Sequence, residues 1–406
     1  MSTAEVFAAE YGRCVATLTR LLGDIDLAEE AVADAFAVAV EHWAGGVPPN
    51  PGGWIVTTAR RRAIDRIRRE RAREPKEGDA VRLLDDTGPD EDHGPIEDDR
   101  LRMLFTCCHP ALAAPARVAL TLRLLGGLEV PAIARAFLTA EPTIAQRIVR
   151  AKVKIRDARI PYRVPRAADL PDRLASVLAV IYLISTEGHT GTTDPTRPDL
   201  AAEALRLARL VADLMPDEPE ALGLLALLLL TEARRPARVA DDGSLVRLDD
   251  QDRSAWDAAM IAEGHELVRR CLRRDRPGRY QLQAAINAVH TDAARAQDTD
   301  WTQILALYDQ LAVLDPGPVV ALNRAVALAE VHGPAAGLAV VDTLDAPRYH
   351  LLDAVRADLL DRLGRHDEAG AARAEALGKT DNPAERALLR DAGRRPRHVR
   401  KSSRGL

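Results

Sequence analysis

The sequence predicts an all-α protein. Three observations carry that reading: Ala and Leu dominate the composition, aromatics make up only 3% of it, and no long run alternates Val, Ile, Thr and aromatic residues at the two-residue period of a strand. A chain of 406 residues has room for two or three domains. Charge and punctuation divide this one more clearly than hydropathy does.

The first block, residues 1–73, opens with a helix over 5–22 whose apolar side carries Val6, Phe7, Tyr11, Val15, Leu18 and Leu22. After a turn at Gly23, "DIDLAEEAVADAFAVAVEHW" begins with an acidic first turn, which suits a helix N-terminus. Leu27, Ala31, Phe36, Val40 and Trp43 are its expected core contacts, and Glu29, Glu30 and Asp34 are expected outside. "AGGVPPNPGG" then breaks the helix, and "GGWIVTTARRRAIDRIRRERAR" starts another. Val56, Ala59, Ala63, Ile64 and Ile67 gather on one half of this helix, and Arg61, Arg62, Asp65, Arg68 and Arg69 on the other. Asp65 has Arg61 and Arg69 at helical pairing distance. Between Ala59 and Arg73 stand eight arginines against two acids, although the whole chain has a formal net charge of −5. Local fields decide what each block binds, and this excess points to a polyanion surface. Trp54, at the helix start, can cap the core or stack on an exposed base.

Residues 74–96 read as an exposed acidic linker, rich in Pro, Gly and Asp; between Asp85 and Asp99 there are eight acids and no Lys or Arg. Lying between two basic blocks, it is a candidate for covering one of them. The second block, 97–160, has two apolar-faced helices, 98–107 and 113–125, and a "GG" turn. A short helix near 130–137, a tight turn and a longer helix from Pro142 follow, the proline sitting where a first turn tolerates it. Ile133 and Ala134 can pack on Ile144, Ile148, Ala151 and Ile155, leaving Thr143, Gln146, Arg147, Arg150 and Lys154 on the other face. A helix-turn-helix needs that division, with Gln and Arg able to reach base edges and Arg150, Lys152, Lys154 and Arg156 suited to phosphates.

Two such blocks in this order resemble bacterial RNA polymerase sigma factors of the extracytoplasmic-function class. "DIDLAEEAVADAFAVAVEHW" is similar to their region 2 helix that meets the polymerase clamp, "PGGWIVTTARRRAIDRIRR" to the following −10-element helix, and "ALTLRLLGGLEVPAIARAFLTAEPTIAQRIVRAKVKIR" to region 4. The resemblance implies core polymerase binding by Asp26, Glu29, Glu30, Asp34 and Phe36. It implies −10 DNA binding by Trp54, Arg60, Arg61, Asp65, Arg68 and Arg69, and −35 DNA binding by Thr143, Gln146, Arg147, Arg150 and Lys154. One departure is "FLTAEP", with Leu138 where the pattern usually has a small turn residue.

Residues 161–406 form a helical extension, interrupted at 186–199 and 234–253. The recurring boundaries "LMPDEPEAL", "VLDPGPVVALNRAVALAE" and "RLGRHDEAGAARAEAL" resemble degenerate tetratricopeptide repeats between roughly 199 and 389, an array suited to a peptide or protein partner. The chain is thereby similar to the sigma-factor group with such an extension, whose signature segments match "YLISTEGHTGT" and "ARVADDGSLVRLDDQDRSAWD". Glu187, His189, Asp241, Asp249, Asp250, Asp252, Arg253 and Trp256 are the interdomain or regulatory candidates there. Glu187 with His189 is an acid/base combination and the aspartates are metal-like, yet the loop lacks calcium-loop spacing and no nucleophile is paired. No enzymatic activity and no cofactor are expected.

Cys14, Cys107, Cys108 and Cys271 do not make a disulfide framework in a chain this long, and Cys107, Cys108 and His109 lack a fourth metal ligand nearby. The longest apolar run, "ALGLLALLLL" at 221–230, is too short for a membrane span and reads as a buried helix. A cytoplasmic protein without a membrane partner follows as the expectation. The competing reading is a ligand-responsive DNA-binding transcriptional regulator with a helical sensor domain.

Overall fold

The computed structural model describes residues 3–43, 46–73, 99–137, 139–166, 168–190, 198–240, 243–347, 349–380 and 382–392. The acidic linker at 74–96, Leu138 and Asp241 lie outside the described residues, as does the side chain of His189. Among the described residues the regular structure is helical, with one isolated bridge between Val239 and Leu245. The fold is all-α. Two units divide the chain, Met1–Ile184 and Ser185–Leu406.

In the first unit, α1 (Thr3–Leu22), α2 (Ile25–His42) and α3 (Pro51–Arg73) pack on one another. Gly23, at φ +73°, makes the reversal between α1 and α2. The Asp24 carboxylate then caps α2 by accepting from the Leu27 amide at 2.9 Å, an arrangement worth about 1 kcal/mol. Phe36 is buried, its ring centroid 4.9 Å from that of Phe7 and 6.4 Å from that of Tyr11. Val40, expected in the core, is 65% exposed. The buried stripe of α2 runs through Ala28, Val32, Ala35, Phe36 and Ala39, and Val40 lies about 100° beyond Ala39.

The second part of the unit contains α4 (Asp99–Cys107), α5 (Ala114–Leu124), α6 (Val130–Ala136) and α7 (Glu141–Asp157). Ile133 and Ala134 on α6 and Ile144, Ile148, Ala151 and Ile155 on α7 are all buried, and the two helices touch. The apolar sides therefore set the crossing. α8 (Leu170–Thr190) begins in this unit: the Ser176 hydroxyl donates to the Cys108 carbonyl at 2.8 Å, and Arg173 donates to the Phe105 carbonyl at 2.6 Å.

An interruption was expected from residue 186, but α8 continues through Thr190. Gly188 explains the difference. A Cβ built there would lie 2.7 Å from the Ala201 amide nitrogen, so this glycine serves close approach to the next helix rather than termination.

The second unit continues with α9 (Pro198–Leu214), α10 (Pro219–Glu232), α11 (Ala258–Arg274) and α12 (Arg279–Asp292). Then come α13 (Trp301–Leu314), α14 (Pro318–His332), α15 (Pro334–Val341), α16 (His350–Arg362), α17 (His366–Gly378) and α18 (Pro383–Ala392). Successive helices from α9 to α18 pack on each other, and α10 also meets α12. Residues 221–230 of α10 are buried throughout, as the apolar run requires. Small residues admit the neighbours: a Cβ on Gly223 would lie 2.7 Å from the Gln281 amide nitrogen of α12, and one on Gly264 of α11 would lie 2.7 Å from Leu230.

Candidate functional site

The acidic edge of α2 divides into two sets of contacts. Glu30 and Asp34 face α3, where Glu30 pairs with Arg66 and Asp34 with Arg62 at 3.8 Å. Both acids stand outside as expected, each paired with an arginine of α3. A cleft of about 390 Å³ runs between the helices, lined by Leu27, Glu30, Asp34, Arg62, Arg66 and Arg69 among others. Glu29 instead is 9% exposed and faces the second block: its carboxylate accepts from Arg123 at 2.5 Å and from Lys152 at 2.6 Å. Lys152 also bonds the exposed Asp26 at 2.8 Å. Burial is the largest single influence and opposes both cationic charges, yet the neighbouring acids together, Glu29 foremost and Asp26 also at Lys152, outweigh it and their pKa values rise. Of the five residues expected to face polymerase, Phe36 lies in the interior of the block.

On α3 the exposed face carries Arg61, Asp65, Arg68 and Arg69, while Arg60 is half-buried. Arg69 Nε donates to the Asp65 backbone carbonyl at 3.2 Å, not to its carboxylate. Asn50 builds the helix start, its side chain accepting from Gly53 at 3.0 Å and its carbonyl from Trp54 at 3.2 Å. Trp54 is half-buried, edge-on to the buried Trp43 with centroids 5.2 Å apart, and 6.4 Å from His42. One part of its ring is thus anchored to the core and another remains at the surface.

On α7, Thr143, Gln146, Arg150 and Lys154 are exposed and Arg147 is half-buried, all on the side opposite the Ile144, Ile148, Ala151 and Ile155 stripe. Lys152, expected at phosphates, points to Glu29 and Asp26 instead. Its position was the available signal. It stands four residues after Ile148 and three before Ile155, so a helix with this stripe turns its stem inward. Arg123, between buried Leu122 and Leu124, was missed for the same reason.

In the second unit, Asp249 and Asp250 are exposed on a short 3₁₀ turn, Leu248–Asp250. The Asp252 carboxylate accepts from the Ser254 amide at 2.9 Å and hydroxyl at 2.7 Å, bonds that lower its pKa. Arg253 donates to the carbonyls of His290 at 2.6 Å and Ala293 at 2.5 Å, and its guanidinium lies 4.7 Å from the centre of the buried Trp256 ring. The segment is thereby fastened to α12. Glu187 is half-buried on α8. The structure does not gather Glu187 and these aspartates into a metal-binding group: among the described residues no cluster of three His, Cys, Asp or Glu side chains has that geometry.

The four cysteines are buried and unpaired, and burial raises the thiol pKa of each. His109 Nδ1 accepts from the Ala111 amide at 3.1 Å, so it closes a local turn. Among the described residues no helix is long and apolar enough to cross a membrane.

Comparison with known proteins adds family to geometry. Residues 6–73, which cover α1 to α3, match the model of sigma-70 region 2, and residues 173–272 match a family of unknown function (DUF6596). The chain is 42% identical over 393 residues to an uncharacterized protein of Rhizobium meliloti, covering 93% of this chain and 92% of that one. It is 31% identical over 156 residues to the ECF RNA polymerase sigma factor SigK of Mycolicibacterium vanbaalenii, covering 36% of this chain and 77% of that protein. No solved structure matches. Through its N-terminal sigma-70 region 2 domain, the chain belongs to the ECF RNA polymerase sigma factor family.

Proposed function

We propose that this sigma factor directs core RNA polymerase to promoters by reading a −10 element with α3 and a −35 element with α7. The basic, exposed face of α3 within the region 2 match is the observation that carries the reading. Arg61, Arg68 and Arg69 supply phosphate contacts, and Trp54 lies at the end of the helix nearest an opened strand. Thr143, Gln146, Arg147, Arg150 and Lys154 present donors to the major groove. The protein works in the cytoplasm and makes no bonds of its own. Reconstitution with core polymerase, followed by mapping of transcript starts, tests this. A protein that fails to associate with core where a control sigma succeeds ends the proposal.

The helices of the second unit, as a tetratricopeptide-like array, regulate or support initiation through a peptide or protein contact. Their removal distinguishes inhibition, which predicts more transcription, from assistance, which predicts less. The cut belongs after Thr190, since one after residue 165 strips the first unit of the contacts made by Arg173 and Ser176.

A further inference from the structure

We infer that Arg234, Arg238 and Arg253, with the indole of Trp256, form a binding site in the second unit for a phosphate-class dianion, either inorganic phosphate or the phosphate group of a small ester. The site is independent of the proposed function and is tested without polymerase or promoter.

Two segments distant in sequence bring these residues together on α12. The short 3₁₀ turn Arg235–Ala237, which follows α10, touches a second one, Arg253–Ala255, and the Ala233 carbonyl accepts from the Asp257 amide at 2.9 Å. Arg234 donates to the Asn287 side chain at 2.7 Å, and Arg253 donates to the His290 carbonyl at 2.6 Å. Asn287 and His290 are three residues apart on one helix, so the two guanidiniums dock on α12 within about a turn of each other.

The charge gathered there is not balanced by bonded acids. Among the described residues the hydrogen-bond partners of Arg234 and Arg253 are neutral: the Asn287 amide oxygen and the His290 and Ala293 carbonyls. Burial, then the charges of Arg238 and Arg253, pull the pKa of Arg234 down to about 10. The acids nearby are engaged elsewhere. Glu232 pairs with Arg235, Asp298 pairs with Arg295 at 2.7 Å, and Glu385 accepts from the Thr380 hydroxyl at 2.6 Å. Asp249 attracts Arg253 from an exposed turn.

Three enclosed donors are left over. Arg253 Nε and Nη2 and Trp256 Nε1 have no hydrogen-bond partner among the described residues, and what each lacks is an acceptor. The Arg253 guanidinium lies 4.7 Å from the centre of the Trp256 ring, so these donors belong to one place. Arg234, Arg238 and Arg253 are each half-buried, which leaves that place open to solvent. A phosphate ester supplies about −1.5 to −2 charge at neutral pH and three acceptor oxygens suited to guanidinium forks, whereas a single carboxylate leaves more of the positive charge uncancelled.

The test is calorimetric titration of the full chain, at neutral pH and fixed ionic strength, with inorganic phosphate, glycerol phosphate and succinate. Saturable binding of phosphate, tighter than that of succinate, is expected, and the tighter of the two phosphates identifies the source as free or esterified. Arg234→Met and Arg238→Gln should each weaken that binding about tenfold or more, while Arg324→Met, whose guanidinium pairs with Asp309 at 2.6 Å between α13 and α14, should leave it unchanged. Phosphate should also raise the melting temperature of wild type and lose that effect in the two site variants, a difference that arginines serving only to hold α12 would not show. Should Arg234→Met fail to fold, Arg238→Gln, which keeps the bond from Arg234 to Asn287, carries the test. Wild-type protein that binds no phosphate overturns the inference, as does succinate binding equally tightly or a folded site variant that binds phosphate as wild type does.

Discussion

His290 gives the sharpest physical prediction for the second unit. It lies on α12, with its ring 5.3 Å from that of Trp301 in an edge-on arrangement. Burial, reinforced by Arg234 and Arg253, lowers its pKa from 6.5 to about 4. The folded protein therefore keeps this imidazole neutral where the unfolded chain protonates it. The associated stability is complete above pH 6.5 and is lost as pH falls from 6.5 through about 4. The difference between those two pKa values corresponds to about 3 kcal/mol, approached at a slope of at most ~1.4 kcal/mol per pH unit. Urea unfolding at a series of pH values, for wild type and His290→Gln, isolates the effect. The gap between the two stability curves should change by about 3 kcal/mol between pH 7 and 4, with the variant less sensitive to acid. Parallel curves would refute the reasoning, because they require His290 to titrate alike in the folded and unfolded states.

Replacing Arg253 with Met removes two bonds to carbonyls and the stacking on Trp256, so a loss of about 2–4 kcal/mol in urea unfolding is expected. Asp252→Asn keeps an acceptor for Ser254 on an exposed turn, and its unfolding midpoint in the same assay should match that of wild type. Cys14, Cys107, Cys108 and Cys271 should resist a thiol reagent at pH 8 in native protein and react together on denaturation, as absorbance of the released product reports. Arg68→Gln with Arg69→Gln should flatten the salt dependence of promoter binding by the holoenzyme, lowering the log–log slope by about 2. An unchanged slope would remove these residues from the phosphate contacts.

The helical periodicities were legible because each amphipathic stripe is short-range: α1 to α3 and α6 to α7 follow directly from the spacing of apolar residues. Position along the chain also separated the exposed α7 face from its Ile144, Ile148, Ala151 and Ile155 side. The exposed Val40 and the continuation of α8 were not legible. Both depend on which neighbour occupies a given side of the helix, which local pattern leaves open.

The sequence by itself determined an all-α chain, its basic α3, its two candidate DNA-facing helices and the buried α10, since composition and a 3.6-residue period are sufficient for these. Only the tertiary structure decided where the acids of α2 spend their charge. Glu29 and Glu30 are adjacent in sequence, yet successive helical positions diverge by about 100°, so Glu30 meets Arg66 of α3 while Glu29 meets Arg123 and Lys152. Those cations lie 94 and 123 residues away, and only chain packing brings them within reach of one carboxylate.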